Sequence, residues 1–110
     1  ILKAIESAGF KAQDDFMLSL DAAASEWAEN DEYHMPKSGI RRSTDEMIDY
    51  WCGLCEKYPI FSIEDPLGEN DFEGFSRLTE RLGDKVQIVG DDLFVTNTKR
   101  LKKGIKESLI

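Results

Sequence analysis

Apolar positions along the chain follow two alternating rhythms. Leu2, Ile5 and Ala8 are spaced for one helical face, and Gly9 can end that helix. Phe16 to Leu20 is a short apolar run that predicts a strand. From Ala22 to Arg42 no rhythm persists; Asn30-Asp31, Pro36 and Gly39 predict a long irregular excursion. Ser43-Thr44-Asp45-Glu46 then matches a capping box, in which Ser43 and Glu46 satisfy each other's backbone donors. The helix behind it places Met47, Trp51, Leu54, Cys55 and Tyr58 on one face, and Pro59 stops it. Ile60 to Ile63 predicts a second strand. Asn70 or Asp71 can cap a helix with Phe72, Phe75, Leu78 and Leu82 as its stripe and Gly83 at its end. Val86 to Val89 predicts a third strand. Thr96 or Asn97 can cap a last helix carrying Leu101, Ile105 and Leu109.

Strands alternating with helices mean parallel strands joined by right-handed crossovers. Each strand runs straight into acid: the first into Asp21, the second into Glu64 and Asp65, the third into Asp91 and Asp92. On a parallel sheet these acids converge at one end. If Asp21, Glu64 and Asp91 point inward, alternation sends Ser19, Ser62 and Gln87 inward too. It sends Phe16, Leu18, Leu20, Phe61, Ile63, Val86 and Ile88 outward, beneath covering helices. That pattern predicts an α/β fold, a partial (β/α)8 barrel of about three parallel strands with flanking helices. Active sites of such barrels lie at the C-terminal strand ends. Clustered carboxylates repel one another and need protons or a bound cation at neutral pH. Three hard oxygen donors on three elements suit magnesium.

Composition narrows this picture. The chain has 110 residues, enough for one modest domain. Its net charge of -8, from 22 acidic and 14 basic residues, argues against a nucleic-acid partner. No apolar run is long enough for a membrane helix, and no signal-peptide pattern is present, so the expectation is a cytoplasmic protein with no membrane partner. Cys52 and Cys55 lie too close together for a secreted disulfide framework. The chain opens at Ile1 in helical sequence and reads as a piece of something larger.

Other signals have plain readings. Trp51-Cys52-Gly53-Leu54-Cys55 has the spacing of a thioredoxin-type motif, but it falls inside a helix rather than at its start, which makes Cys55 a core residue. A zinc site would need more soft ligands, and His34 is the only histidine, expected on an exposed loop. Lys99, Arg100, Lys102, Lys103 and Lys106 form a solvated basic face on the last helix, opposite Leu101 and Ile105. Asp65 is expected to cap the turn at Pro66.

Two runs resemble one family. Ser62-Ile63-Glu64-Asp65-Pro66 and Val89-Gly90-Asp91-Asp92-Leu93-Phe94-Val95-Thr96-Asn97 are similar to the signature strand ends of the enolases. Leu20-Asp21-Ala22-Ala23-Ala24-Ser25-Glu26-Trp27 resembles the family's upstream metal-binding stretch, and Tyr58-Pro59-Ile60 and Leu82-Gly83-Asp84-Lys85 also match. The resemblance spans nearly the whole chain, with slack only from Glu29 to Arg42. It implies an eight-stranded β/α barrel, magnesium as cofactor, and reversible dehydration of 2-phosphoglycerate to phosphoenolpyruvate in glycolysis by a homodimeric lyase. It implies Asp21, Glu64 and Asp91 as the metal-binding carboxylates. It puts Asp92 where the family has an acid close to its catalytic lysine. That lysine falls beyond Ile110 and the general-acid glutamate before Ile1, so residues 1–110 are expected to be a central section of the barrel domain, inactive by itself.

Three other readings fit part of the pattern. The mandelate racemase and muconate-lactonizing branches also place metal carboxylates on successive strands, but would lack the run from Gly90 to Asn97. A receiver-like magnesium-binding signalling domain needs five parallel strands and a lysine after the last. An inert structural piece is compatible with the enolase resemblance. A piece with open sheet edges is expected to self-associate.

Overall fold

The computed structural model describes residues 1–110. Helix α1, Leu2–Ser7, ends at Ala8 and buries no residue. Strand β1 is Leu18–Asp21, β5 is Ile60–Glu64 and β6 is Gln87–Val89; they form one parallel sheet in the order β1-β5-β6. Helix α2, Thr44–Lys57, and helix α3, Phe72–Leu82, provide the crossovers and pack on each other. Helix α4, Thr98–Glu107, follows β6. This is the expected α/β architecture, a partial barrel with a three-stranded parallel sheet.

The helix starts follow their side chains. Ser43 and Glu46 close the capping box of α2. Asp71 caps α3 by accepting from the Gly74 amide at 3.0 Å. Asn97 caps α4 by accepting from the Lys99 and Arg100 amides. The α3 stripe is buried at Phe75, Leu78 and Leu82, each contributing roughly 1.5–3 kcal/mol of apolar burial. Met47, Ile48 and Trp51 of α2 meet it, along with Ile63 and Ile88 from the sheet. Two ion pairs, Arg77 to Asp45 at 3.1 Å and Arg81 to Asp49 at 2.6 Å, run along the exposed α2–α3 seam.

Four features depart from the sequence reading. First, β1 begins at Leu18, and Phe16 and Met17 are 49% and 42% exposed. The neighbouring strand starts at Ile60, opposite Leu18, so residues before Leu18 have no ladder to join. Second, Phe61 is 53% exposed rather than covered by helices. The register runs Leu18 to Ile60 and then Ser19 to Ser62, so Phe61 is skipped. That slip resets the alternation and leaves Ile60 and Ile63 as the buried pair.

Third, the excursion is ordered structure. A 3-10 turn, Ala24–Trp27, leads into β2, Ala28–Glu29, β3, Glu32–His34, and β4, Arg41–Arg42, an antiparallel meander in that order. Its anchor is Tyr33, 3% exposed. The Tyr33 hydroxyl donates to Asp71 Oδ2 at 2.7 Å and accepts from the Gly68 amide at 2.9 Å. The Thr44 hydroxyl donates to the same Asp71 oxygen at 2.6 Å. Burial pushes the Tyr33 phenol well above its ordinary value, with the Asp71 carboxylate adding to the shift and the Gly68 amide opposing it.

Fourth, of the apolar stripe expected on the last helix only Leu109, beyond the end of α4, is buried. Leu101 and Ile105 are 45% and 74% exposed, and only Gly104 of the helix is buried. Part of the basic run expected to be solvated holds the helix instead. Arg100 donates through Nε to the Leu93 carbonyl at 2.6 Å and through a terminal nitrogen to the Glu69 carbonyl. Arg100 and Lys103 both lie over the Phe72 ring. Gly104 is required there: a Cβ would stand 2.4 Å from Phe94 Cε1. Leu109, fully buried, pins the end of the chain, and its carbonyl accepts from the Thr79 hydroxyl at 2.9 Å.

Candidate metal centre

The C-terminal ends of the three parallel strands carry the acids. Asp21 closes β1 and pairs in register with Glu64, the last residue of β5. Glu64 in turn pairs with Val89, the last residue of β6, and Asp91 follows after Gly90. The acids therefore sit on adjacent strands at one sheet end, as the alternation predicted. Ser19 and Gln87 are exposed and Ser62 half-exposed, so the face shared with Asp21 and Glu64 is the open one.

These carboxylates act on one another. Partial burial, then the charges of Asp21, Asp65, Asp91 and Asp92, raise the Glu64 pKa above its ordinary value. Asp65, then partial burial, then Asp91, Glu69 and Asp21, raise that of Asp92. As the side chains stand, no three acidic, histidine or cysteine groups are gathered into a cation-binding arrangement. Their chemistry still suits a hard divalent cation: all are oxygen donors, Asp21, Glu64 and Asp91 stand at or just beyond the ends of three different strands, and their mutual repulsion is what a cation would relieve.

Asp65 is the residue the sequence reading placed wrongly. It does sit in the turn before Pro66, with φ of 42°. Its carboxylate, however, reaches across to the loop after β6. Oδ1 accepts from the amides of Asp91 at 3.1 Å and Leu93 at 3.4 Å, and Oδ2 accepts from the amide of Asp92 at 2.9 Å. Its backbone is engaged as well, donating to the Val89 carbonyl at 2.9 Å and accepting from the Ala24 amide at 3.0 Å. Asp65 is only 3% exposed. Alternation held the clue: next to Glu64 on the open face, Asp65 must turn toward the covered side, where an acid needs donors. Gly90 lets the braced loop fold back, because a Cβ there would lie 3.0 Å from Leu93 and Phe94 atoms.

The remaining sequence signals have structural roles. Burial pushes the thiols of Cys52 and Cys55 above their ordinary values, which disfavours a reactive thiolate. Both are free and half-buried on α2. His34 is on β3 rather than a loop, half-buried, 3.7 Å from Glu29. A groove of about 530 Å3 between the excursion and the loop after β5 is lined by residues including Glu29, Glu69 and Asp71, but by none of Asp21, Glu64 and Asp91.

The family model described as "Enolase, C-terminal TIM barrel domain" matches residues 1–110. The chain belongs to that family. Membership of a barrel-domain family agrees with the parallel sheet and its crossover helices, and it sets aside the receiver-like reading. The match covers the excursion as well as the strand ends. No helix of this enolase-family chain is long and apolar enough to cross a membrane.

Proposed function

We propose that residues 1–110 form the section of an enolase barrel domain that supplies the metal-binding carboxylates for the reversible dehydration of 2-phosphoglycerate to phosphoenolpyruvate. The observation that carries this reading is the strand register. Asp21 and Glu64 are direct partners, and Asp91 follows the strand paired with Glu64. Asp21, Glu64 and Asp91 would hold the magnesium. Removing a proton next to a carboxylate builds negative charge, and a bound divalent cation stabilises it as a Lewis acid. The chain's own contribution is to present oxygen donors from the ends of β1 and β5 and from the loop that follows β6. Asp92, one residue further along the loop that Asp65 braces, stands beside the centre and would face the family's catalytic lysine.

The acid–base pair is assigned to other parts of the barrel, so the 110-residue chain is inactive by itself. The parent enzyme is a cytoplasmic homodimeric lyase of glycolysis, with no nucleic-acid or membrane partner. β1 and β6 are the open edges of the parallel sheet, and they are the surfaces through which the isolated chain self-associates. Calorimetric titration with Mg2+ tests the centre. The unmodified chain binds Mg2+, and Asp91→Ala and Asp21→Ala each weaken binding at least about tenfold. Equal binding by all three proteins would refute the ligand assignment. Dehydration of 2-phosphoglycerate by the purified chain, abolished in Asp91→Ala, would refute the inactivity of the section.

A further inference from the structure

The loop Asp91–Leu93 carries amides whose acceptors in this structure are the two oxygens of Asp65. The turn closes through its carbonyls instead: Asp91 accepts from the amides of Phe94 at 3.1 Å and Val95 at 2.8 Å. A single buried carboxylate thus sets the path of the backbone from which Asp91 projects. The same residue is bonded through its own backbone to β6 at Val89 and to the start of the excursion at Ala24. Asp65 ties together three chain segments, those following β1, β5 and β6.

We propose that Asp65 is a positioning residue for the cation centre: by accepting from the amides of Asp91, Asp92 and Leu93, it fixes where the Asp91 carboxylate stands relative to Asp21 and Glu64. The inference rests on the reading of Asp91 as a metal ligand. Aspartate is specified by its chemistry. Three N–H groups converge on two oxygens, so every lone pair used must belong to an acceptor. Asparagine matches the shape but presents an NH2 group to at least one of those amides. With its oxygen kept on the side shared by Asp91 and Leu93, it sets donor against donor at Asp92. Alanine removes all three bonds. Glutamate is one methylene longer and would carry its oxygens past the three amides, in a site closed to solvent at 3% exposure.

The test combines Mn2+ binding, read by electron paramagnetic resonance, with amide hydrogen exchange, on the unmodified chain, Asp65→Asn, Asp65→Ala and Asp91→Ala. The expected result is a graded pattern. Asp65→Asn exposes the Asp92 amide and leaves the Asp91 and Leu93 amides slower to exchange, whereas Asp65→Ala exposes all three. Mn2+ affinity falls about 10- to 100-fold in both, the usual effect of removing a residue that orients a ligand. Mn2+ affinity in Asp65→Asn within about twofold of the unmodified chain overturns the inference, as does identical exchange in the two Asp65 variants. If neither Asp65 variant folds, the unmodified chain decides: amides of 91–93 exchanging as in an unfolded peptide overturn the inference, and protected ones support it. Failure of the underlying metal reading shows elsewhere, as an unmodified chain that takes no Mn2+ or an Asp91→Ala that binds as well as its parent. Either outcome removes the Asp65 inference along with it.

Discussion

The excursion and helix α4 invert each other. The excursion is polar, irregular in sequence and built from strands of two or three residues, yet it is fixed on the body at its start by buried Ala24 and along its strands by the buried ring of Tyr33. Helix α4 has a strong apolar stripe at regular spacing, yet leaves Leu101 and Ile105 in solvent and docks through Arg100, Lys103 and Gly104. In both regions, attachment depends on one or two satisfied polar anchors and a close approach, not on how many apolar residues are present. A hydroxyl shared between a carboxylate and a backbone amide, or a guanidinium on two carbonyls, fixes orientation as well as position.

The largest test of this contrast is Tyr33→Ala. It removes the ring from the core and leaves the Gly68 amide without its acceptor. The expected loss is about 3–5 kcal/mol by urea denaturation, with the meander detaching first. Tyr33→Phe keeps the ring and is expected to cost only about 1–2 kcal/mol. Alkaline titration reads the same residue another way. Because the folded pKa is raised, the native state keeps its proton after the unfolded chain has lost it. The phenol's contribution is therefore complete below the ordinary value of 10.0 and declines as pH rises above it. The slope is about 1.4 kcal/mol per pH unit, and it is absent in Tyr33→Phe.

At α4, Gly104→Ala places a methyl against Phe94 and is expected to destabilise by about 1–2 kcal/mol, despite the better helix propensity of alanine. A gain in thermal midpoint would show that the helix docks more loosely than described. The smallest effect belongs to the apolar stripe. Ile105→Ser in this chain is expected to change stability by less than about 0.5 kcal/mol. A loss several times larger would mean that Ile105 is covered in solution, for instance by a second copy, and the contrast between the two regions would narrow.

These regions also mark where sequence reading stopped. Helix α2 was legible to the residue at its cap and α3 to within one residue, Asn70 or Asp71, because capping chemistry is local: Ser43 pairs with Glu46, and Asp71 takes the cap of α3 by accepting from Gly74. The acid-bearing strand ends were legible because an apolar run ending in carboxylate is visible without a partner. Phe61 was not, since the slip that exposes it is a property of the β1–β5 pair rather than of either strand. The meander was hidden because strands of two or three residues carry no measurable period. For α4, periodicity identified the apolar face correctly but could not say whether anything lies against it. Asp65 was read from its neighbour Pro66, whereas its carboxylate answers to amides 26 to 28 positions away.

Trp51 gives the molecule an optical handle. Its indole is 4% exposed, and its Nε1–H donates at 2.8 Å to the carbonyl of Pro66, in the turn that also contains Asp65. The chain's other indole, Trp27, lies half-exposed at the end of the 3-10 turn. An aqueous quencher such as iodide will therefore darken Trp27 first. The blue-edge emission that survives belongs to Trp51, and its spectral position follows the local field at the turn beside the acidic strand ends. Ligand arrival at that end of the sheet becomes visible as a colour change, with no label attached.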